Sequence, residues 1–443
     1  MKKKKIVKKI NISENGSKKQ KTASPLKAFI ITFCGVLGIG MLILLVLKLA
    51  APGNEKGKET SGEMVLKDEE DRGQEEERFD LLWESVPQEN KQEASEEADE
   101  SRYGAILADE EYMKANRIFP WESASEDEVT FGFVGDILFD DEYAIMANLL
   151  QRGVTIENGI SEPLLAQLRD VDVLLANNEF PFTDRGTPTE GKTYTFRADT
   201  ESVSYLHDMG VDVAVLANNH IYDFGEVGLL DTLDTLSNAG IPYVGAGEDL
   251  EEASAPVYFI VNDMKIAIVA ATQIERLDNP DTREATESSA GVFRCWNPEK
   301  LYERVSEAKE NSDFVIVYIH WGTENVTEPD WAQLDQAPGL AEAGADLVIG
   351  AHPHCLQGIT YCDDTPVVYS LGNFWFNSKT VDTGMIRVTI GEEGLKEMQF
   401  VPAIQSDCRV DLAYGADAER ILEHMRSLSP EIRIDEEGYI KKK

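Results

Sequence analysis

The sequence predicts an α/β domain with largely buried strands, preceded by one transmembrane helix. From Val129 onward, short β-branched runs alternate with stretches of helical apolar spacing, a pattern typical of sheets covered by helices. Near the N-terminus, residues 28–47 contain no charged residue, and this length is what a helix needs to cross a bilayer. Histidines, carboxylates and carboxamides follow one predicted strand after another, so a polar site is expected at the strand ends.

The charge of the chain is strongly acidic and unevenly distributed. The formal net charge is −39 over 443 residues. Nucleic acid is therefore not expected as a partner, because a polyanion would be repelled at long range. The first 27 residues are basic, and the acidic excess lies downstream. The length is sufficient for one large domain or two ordinary ones.

The apolar segment 28–47 is flanked by Lys27 and Lys48. A cleaved signal peptide is the alternative interpretation, but its apolar core is usually shorter. Because lysines crowd the N-terminal side, the N-terminus is expected in the cytoplasm and the rest of the chain outside the cell. The sequence thus predicts a basic cytoplasmic tail over residues 1–27 and a single-pass membrane anchor over residues 28–50.

Three further segments are expected beyond the anchor. Residues 51–111 are charged and poor in apolar residues, which is typical of a disordered stalk. Residues 112–430 are expected to form an extracellular domain, and residues 431–443 a polar C-terminal tail. On this prediction, a chain that starts near residue 112 folds on its own.

The external domain contains segments with the composition of strands and others with the apolar spacing of helices. The predicted strands and hairpins are 129–136, 171–179, 211–220, 256–272, 314–322, 345–354, 365–374 and 385–403. The predicted helices are 200–210, 227–240 and about 416–428. The segment 256–272 is interpreted as a hairpin that turns at Asn262-Asp263.

A set of metal-ligand side chains falls at the ends of these strands. The set consists of Asp136, Asn178, Glu179, Asn218, Asn219, His220, His320, His352, His354 and Asn373. Nitrogen and oxygen ligands of these types suit a divalent ion such as Mn, Fe or Zn. Singly, such residues also occur as helix caps, turn residues or core residues. Glu179 is the hardest to explain in that way, because a carboxylate flanked by apolar sequence needs a partner.

Two of the six histidines in the chain, His352 and His354, are separated only by Pro353. In an extended segment, side chains at i and i+2 point the same way, and the proline stiffens the pair. Two neighbouring imidazoles can serve one metal, or two metals about 3.5–4 Å apart as in phosphoester-cleaving sites. The sequence therefore predicts one or two divalent ions per chain.

Seven motifs in this region carry a resemblance to a known family. In chain order they are "GDILF", "NNEFPFT", "YTFRA", "LANNHIYDFG", "HWGTE", "GAHPHCLQG" and "YSLGNFWF". Together they resemble the CapA-type capsule-synthesis family, which is associated with poly-γ-glutamate, over roughly residues 129–404. The resemblance implies the calcineurin-like metallophosphatase fold, in which two facing mixed β-sheets are flanked by helices.

The resemblance also implies roles for individual residues. His220 resembles the catalytic proton donor of that superfamily, and Glu179 resembles its bridging carboxylate. The implied metal ligands are Asp136, Glu179, Asn219, His320, His352 and His354. His320 and His352 resemble ligands of one metal, and His354 resembles a ligand of the other. Arg197, in "YTFRA", is suited to binding an anionic substrate group because its planar guanidinium matches carboxylate and phosphate; a surface ion pair is the alternative.

The sequence departs from the superfamily pattern at one position. Metallophosphatases usually open with Asp-x-His, but Asp136 is followed by Ile137 and Leu138. One ligand is therefore missing unless Asp140 or Asp141 replaces it. This departure leaves both the second metal and hydrolytic activity open.

Three functions are compatible with these features. The first is a role in the synthesis or export of capsular poly-γ-glutamate, with the anionic polymer and capsule-synthase subunits as partners. The second is a metal-dependent phosphoesterase that acts on an extracellular anionic substrate. The third is a non-catalytic surface-binding module whose metal is structural. The resemblance places the first function ahead of the other two.

Overall fold

The structure is a computed structural model that describes residues 69–88, 90–92, 101–274 and 282–443. The predicted cytoplasmic tail, residues 1–27, and the predicted anchor lie outside the described residues. Within the part that is described, no helix has both the length and the apolar character needed to cross a membrane.

Two large mixed sheets contain most of the strands. The strands are β1 Ile118–Pro120, β2 Glu128–Ile137, β3 Val173–Asn178, β4 Val213–Val215, β5 Tyr243–Val244, β6 Ala246–Gly247, β7 Val257–Val261, β8 Met264–Thr272, β9 Gly291–Val292, β10 Phe314–His320, β11 Leu347–Ala351, β12 Ile359–Cys362, β13 Thr365–Val368, β14 Asn373–Trp375, β15 Val381–Gly391, β16 Gly394–Ser406, β17 Arg409–Leu412, β18 Ile432–Ile434 and β19 Ile440–Lys442. One sheet has the order β17-β16-β15-β2-β3-β4-β5, with β14 paired to β2, and the other has the order β1-β7-β8-β10-β11-β13-β12.

Both sheets are parallel at the centre and antiparallel towards an edge. In the first sheet, β2, β3, β4 and β5 run parallel, whereas β15 and β16 run antiparallel to their neighbours. In the second sheet, β8, β10, β11 and β13 run parallel. The central strands β3, β8, β10 and β11 are buried along their whole length, which explains why their sequences are nearly continuous apolar runs.

The two sheets pack face to face. The Tyr318 hydroxyl in β10 donates a 2.8 Å hydrogen bond to the Val134 carbonyl in β2. The rings of Phe131 and Phe259, one from each sheet, meet edge to face with their centroids 6.5 Å apart. The predicted arrangement of mixed α/β sheets flanked by helices is thereby confirmed, and it fits a metallophosphatase-like fold.

Helices cover the outer faces of the sheets. The helices in the described part are α1 Glu69–Ser85, α2 Gly104–Leu107, α3 Glu110–Ala115, α4 Ala144–Arg152, α5 Glu162–Leu168, α6 Ser204–Met209, α7 Gly225–Asn238, α8 Leu250–Ser254, α9 Glu299–Glu310, α10 Trp331–Ala343 and α11 Ala416–Leu428. Leu301 and Val305 of α9 and Leu340 of α10 belong to one buried cluster with Val315 and Val317 of β10. The β7–β8 hairpin turns at Asn262 and Asp263 as predicted, and both residues have positive φ, as tight hairpin turns require.

Residues 69–88 and 90–92 are not a disordered stalk. Helix α1 lies within this segment, and its residues Leu82 and Trp83 belong to the main hydrophobic core together with Val86. Arg78, whose side chain is 3% exposed, forms an ion pair with Asp234 of α7 at 2.6 Å. The prediction for residues 51–111 was wrong for the described part, because one apolar stripe is enough to dock a helix whose other positions are charged.

The C-terminal segment is also part of the domain. Strands β18 and β19 form a hairpin, and Ile432, Ile434 and Ile440 are buried in the main core. Tyr439 bridges to Gln399 of β16. The prediction of a polar tail over residues 431–443 was therefore wrong, since the charged residues alternate with isoleucines that face inward.

We expect Trp83→Ala to lower the free energy of unfolding by about 3–5 kcal/mol, because the substitution removes a buried aromatic ring and leaves a cavity. The neighbouring Glu84 is exposed, so Glu84→Ala is the matched control and should change stability by less than about 0.5 kcal/mol. Denaturant unfolding of a chain that starts at Lys67 measures both. Equal stability of the two variants, or of a chain that starts at residue 112, would show that α1 contributes nothing to the domain.

Candidate metal centre

The predicted ligands meet where the two sheets come together. Asp136 lies near the end of β2, and Glu179 directly follows β3 of the same sheet. His320 is the last residue of β10, and His352 directly follows β11 of the other sheet. The carboxyl ends of these strands therefore deliver carboxylates from one sheet and imidazoles from the other to a common site.

Glu179 lies at the centre of this site. Its side chain is 0% exposed, and no residue in the described part of the chain donates a hydrogen bond to either carboxylate oxygen. The nearest imidazole nitrogens are His320 Nε2 at 3.5 Å and His220 Nε2 at 4.0 Å from Oε1. Burial, together with the neighbouring Asp136 carboxylate, raises the pKa of Glu179 well above its ordinary value. A carboxylate buried in this way is compensated either by a proton or by a cation.

Glu179, His320 and His352 form one group of candidate ligands. Their ligand atoms all lie within 4.8 Å of one another. His320 Nε2 lies 2.8 Å from Asn219 Oδ1 and 3.0 Å from His352 Nδ1. Burial and the neighbouring histidines lower the pKa of both rings well below the ordinary value. The two imidazoles are therefore neutral, the form in which histidine binds metal.

Asp136, Glu179 and His354 form a second group, which shares Glu179 with the first. His354 Nδ1 lies 3.1 Å from Asp136 Oδ2 and 2.8 Å from Asn373 Oδ1. Burial lowers the pKa of His354, but Glu179 and Asp136 outweigh it and raise the value to about 9. The two carboxylates thus favour a positive charge at this position, whether it is a proton on His354 or a metal ion.

Two glycines bring Asp136 and Asn373 together. The Asp136 amide donates to the Gly372 carbonyl at 3.0 Å. Asp136 and Asn373 are paired with each other between strands β2 and β14. A Cβ on Gly135 would lie only 1.9 Å from the Gly372 carbonyl oxygen. Only glycine allows the chain segments to approach this closely.

The donor set fits a divalent ion of the predicted type. Neutral imidazoles, carboxylates and a carboxamide oxygen converge, and the shared carboxylate accepts no hydrogen bond from residues 69–88, 90–92, 101–274 and 282–443. Mixed nitrogen and oxygen ligation of this kind suits Mn, Fe or Zn. The shared position of Glu179 is the arrangement that a bridging carboxylate needs.

Residues 130–378 match the family model of the bacterial capsule synthesis protein PGA_cap. The chain belongs to this family. The PGA_cap family is part of the metallophosphatase-like superfamily, so the resemblance seen in the sequence motifs is confirmed.

This chain is similar to proteins whose names refer to the synthesis of a capsule or of a polymer. It is 31% identical over 283 residues to the PGA biosynthesis protein CapA of Bacillus subtilis, covering 63% of this chain and 72% of the relative. It is 27% identical over 320 residues to the capsule biosynthesis protein CapA of Bacillus anthracis, covering 70% and 75%. A probable polyglutamine synthesis accessory protein of Mycobacterium tuberculosis is 32% identical over 215 residues, covering 46% and 55%.

The sequence predicted that His352 and His354 lie in an extended segment, and this prediction was wrong. His352 and His354 have φ values of 97° and 55°, which belong to the left-handed region that non-glycine residues rarely adopt. The Pro353 carbonyl accepts a 2.7 Å hydrogen bond from the Asn325 amide, which holds the turn. The turn still directs both rings to the site, with their centroids 5.8 Å apart.

Neither Asp140 nor Asp141 replaces the missing histidine of the Asp-x-His pattern. The position is occupied by the buried Leu138. The Asp140 carboxylate accepts hydrogen bonds from the Glu142 and Arg197 amides, and Asp141 is exposed. Among the residues described, neither aspartate belongs to the two ligand groups. The second group therefore has fewer ligands than the superfamily pattern.

Arg197 lies on the loop that precedes Asp199 and stacks on an aromatic ring. Its guanidinium carbon lies 4.8 Å from the centre of the Phe224 ring. No ion pair is formed by Arg197 with any described residue, so the surface ion pair proposed as its alternative is not present there.

Three residues of the site were missed by the sequence analysis. Asp223 Oδ2 lies 2.7 Å from His220 Nδ1; the spacing i, i+3 within "NNHIYDFG" was the available signal. The Asn177 amide group donates to Asp136 Oδ1 at 2.7 Å and lies 3.3 Å from His320 Nδ1. Lys192 Nζ lies 2.6 Å from Asp223 Oδ1, and no local pattern indicates this contact.

We expect Glu179→Gln and His352→Ala to weaken divalent metal binding by more than about 100-fold, beyond the 10–100-fold effect typical of residues that only support a ligand. Calorimetric titration of the metal-stripped protein with Mn²⁺ or Zn²⁺ measures the effect. The control is His207→Ala, because His207 is exposed on α6 and should bind as the unmodified chain does. Unchanged binding by Glu179→Gln would contradict the metal centre.

Proposed function

We propose that this protein takes part in the synthesis or export of capsular poly-γ-glutamate and that its site is a divalent-metal hydrolytic centre. The names of the Bacillus relatives support the polymer. The observation that carries the hydrolytic assignment is the pairing of an unpartnered buried carboxylate, Glu179, with an oriented histidine, His220. The substrate is an anionic polymer or a phosphoester derived from its synthesis.

The ligands divide between two positions that share Glu179. Asn219, His320 and His352 would hold one ion, and Asp136 and His354 the other, with identity Mn, Fe or Zn. When bound, such an ion supplies positive charge that polarises a phosphoryl or carbonyl group and stabilises negative charge that develops on it. The missing histidine after Asp136 makes the second position the weaker one, so one or two ions are held per chain.

His220 is the proposed proton donor to the leaving group. Its Nδ1 is held by Asp223, which leaves Nε2 directed towards Glu179 at 4.0 Å. Asp223 selects the tautomer and stabilises the imidazolium that forms when Nε2 takes up a proton, so Nε2 is the atom that exchanges a proton with substrate. The Phe196 ring lies 4.3 Å from the His220 ring and shields one face of it from water.

Arg197 is the proposed contact for an anionic substrate group. The chain carries a net charge of −39, so a polyanion approaches only where local positive charge compensates. A guanidinium held by stacking on Phe224 keeps its donors free for a carboxylate or phosphate.

The apolar segment before the domain is the proposed anchor. The lysine-rich sequence of residues 1–27 favours a cytoplasmic N-terminus, which would place the domain outside the cell. Anchoring at the cell membrane would keep the site near capsule-synthase subunits that extrude the polymer.

We expect His220→Ala to retain metal while turnover of a chromogenic phosphodiester falls by about 10²–10⁴-fold, because only proton transfer is lost. His352→Ala should lose both metal and turnover. Metal content and hydrolysis are measured side by side on the two variants, with His207→Ala as the control. Loss of metal in His220→Ala to the same extent as in His352→Ala would refute the separation of roles.

The polymer assignment is tested in cells that lack this protein. Complementation with the unmodified chain should restore surface poly-γ-glutamate, and complementation with His352→Ala should not. Restored polymer with His220→Ala would mean that the polymer role does not need hydrolysis. Restored polymer with His352→Ala would remove the metal centre from that role.

The topology has a separate test. Protease added to intact cells should remove the domain and leave residues 1–27 in the cell, because the charge bias places the N-terminus inside. Immunodetection of tags at both termini measures the two fragments. A domain that resists protease until the cells are lysed would reverse the proposed orientation.

A further inference from the structure

Lys192 is a buried lysine beside the site. Its side chain is only 4% exposed. The ammonium donates to Asp223 Oδ1 at 2.6 Å and to the backbone carbonyl of Asn219. Burial of an ammonium is costly unless it is paired and hydrogen-bonded, and here both conditions are met. One partner, Asp223, contacts the proposed proton donor, and the other, Asn219, is a proposed metal ligand.

Every oxygen of Asp223 is occupied. Oδ1 accepts from Lys192, and Oδ2 accepts from His220 Nδ1 at 2.7 Å and from the Phe196 amide at 2.7 Å. The carboxylate is 0% exposed, so no water competes for these positions. With Lys192 in place, Asp223 can only accept from His220, and the proton of the neutral imidazole must lie on Nδ1.

The second bond of Lys192 acts on Asn219. The backbone carbonyl held by the ammonium belongs to the residue whose side-chain oxygen lies 2.8 Å from His320 Nε2. One ammonium group therefore restrains two adjacent residues with different proposed tasks. Asn219 would bind metal, and His220 would transfer a proton.

We propose that Lys192 is a positioning residue, which fixes the orientation of Asn219 and the tautomer of His220 through a single ammonium group. The inference rests on the proposed function, since it assigns Lys192 to the same site. A simple neutralising partner for Asp223 is the competing role. That role predicts an effect on stability and on His220, but no weaker metal binding through Asn219.

The loop that carries Lys192 is held independently of this lysine. The Thr189 amide donates to the Asp223 carbonyl at 2.8 Å. Gly186 packs so closely on the turn that a Cβ there would lie 2.2 Å from the Phe224 carbonyl oxygen. Removal of the ammonium therefore leaves the loop in contact with the turn, and a Lys192 variant tests positioning separately from loop docking.

Lys192→Met is the test variant, because methionine fills a similar volume without a donor. Lys309→Met is the matched control. Lys309 Nζ also binds one carboxylate, Asp346 at 2.7 Å, and one backbone carbonyl, Asp313 at 3.1 Å, but lies on α9. Both variants are made in the full chain, labelled at the histidine nitrogens, and only six histidines need assignment.

We expect Lys192→Met to show the second tautomer of His220 in the nitrogen spectrum of the metal-free protein and to bind Mn²⁺ about 10–100-fold more weakly. Lys309→Met should change neither. If Lys192→Met does not fold, Lys192→Gln, which can reach only one of the two acceptors, is measured in the same way. Unchanged Mn²⁺ affinity in the folded variant, or a His220 that remains protonated only at Nδ1, would overturn the inference. Because neither measurement uses substrate, an unmodified chain without hydrolytic activity would refute the proposed function alone.

Discussion

A buried carboxylate, that of Glu179, lies where the two sheets of this domain meet. It has no exposed surface, and none of the residues that the structure describes donates a hydrogen bond to either oxygen. Burial of such a group costs several kcal/mol unless a cation or a proton compensates, by the usual size of desolvation penalties. The surrounding imidazoles, the Asp136 carboxylate and the Asn219 oxygen are arranged around it, so the organisation of the whole site follows from this one electrostatic demand.

Polar residues around the site hold the candidate ligands and His220 in place. Asp136 is held by Asn177, and His220 by Asp223. Each of these partners is itself buried and satisfied by a further donor, which leaves few degrees of freedom for the ligands. A network of this kind is stable only when it is complete, and this explains why an acidic chain places a buried lysine beside His220 and Asp223.

Much of the site could be predicted from the sequence because strand ends are local features. An apolar run that ends in a polar residue locates Asp136, Glu179, His320 and His352 without knowledge of the fold. Lys192 gave no such signal, since its partners are about 30 positions away and its loop has no regular spacing. The turn at "HPH" was missed because positive φ at histidine is not encoded in the residue types.

The helix α1 was missed for a different reason. Its sequence is dominated by charge, and its few apolar residues become significant only against the surface that they cover. Tertiary packing also explains why residues 431–443 are not a free tail, because three isoleucines in this segment are part of the main core. Composition describes the average of a segment, whereas packing depends on one face of it.

The division of the site between two sheets has a consequence for folding. Its ligand segments range from Asp136 in β2 to Asn373 in β14, so the centre forms only after most long-range strand pairing is complete. Folding with such distant contacts is intrinsically slow, and an ion has little to bind until late. An ion bound there would stabilise the native state in proportion to the logarithm of its concentration relative to its Kd. Metal supply would then govern the lifetime of the folded domain more than the rate at which it forms.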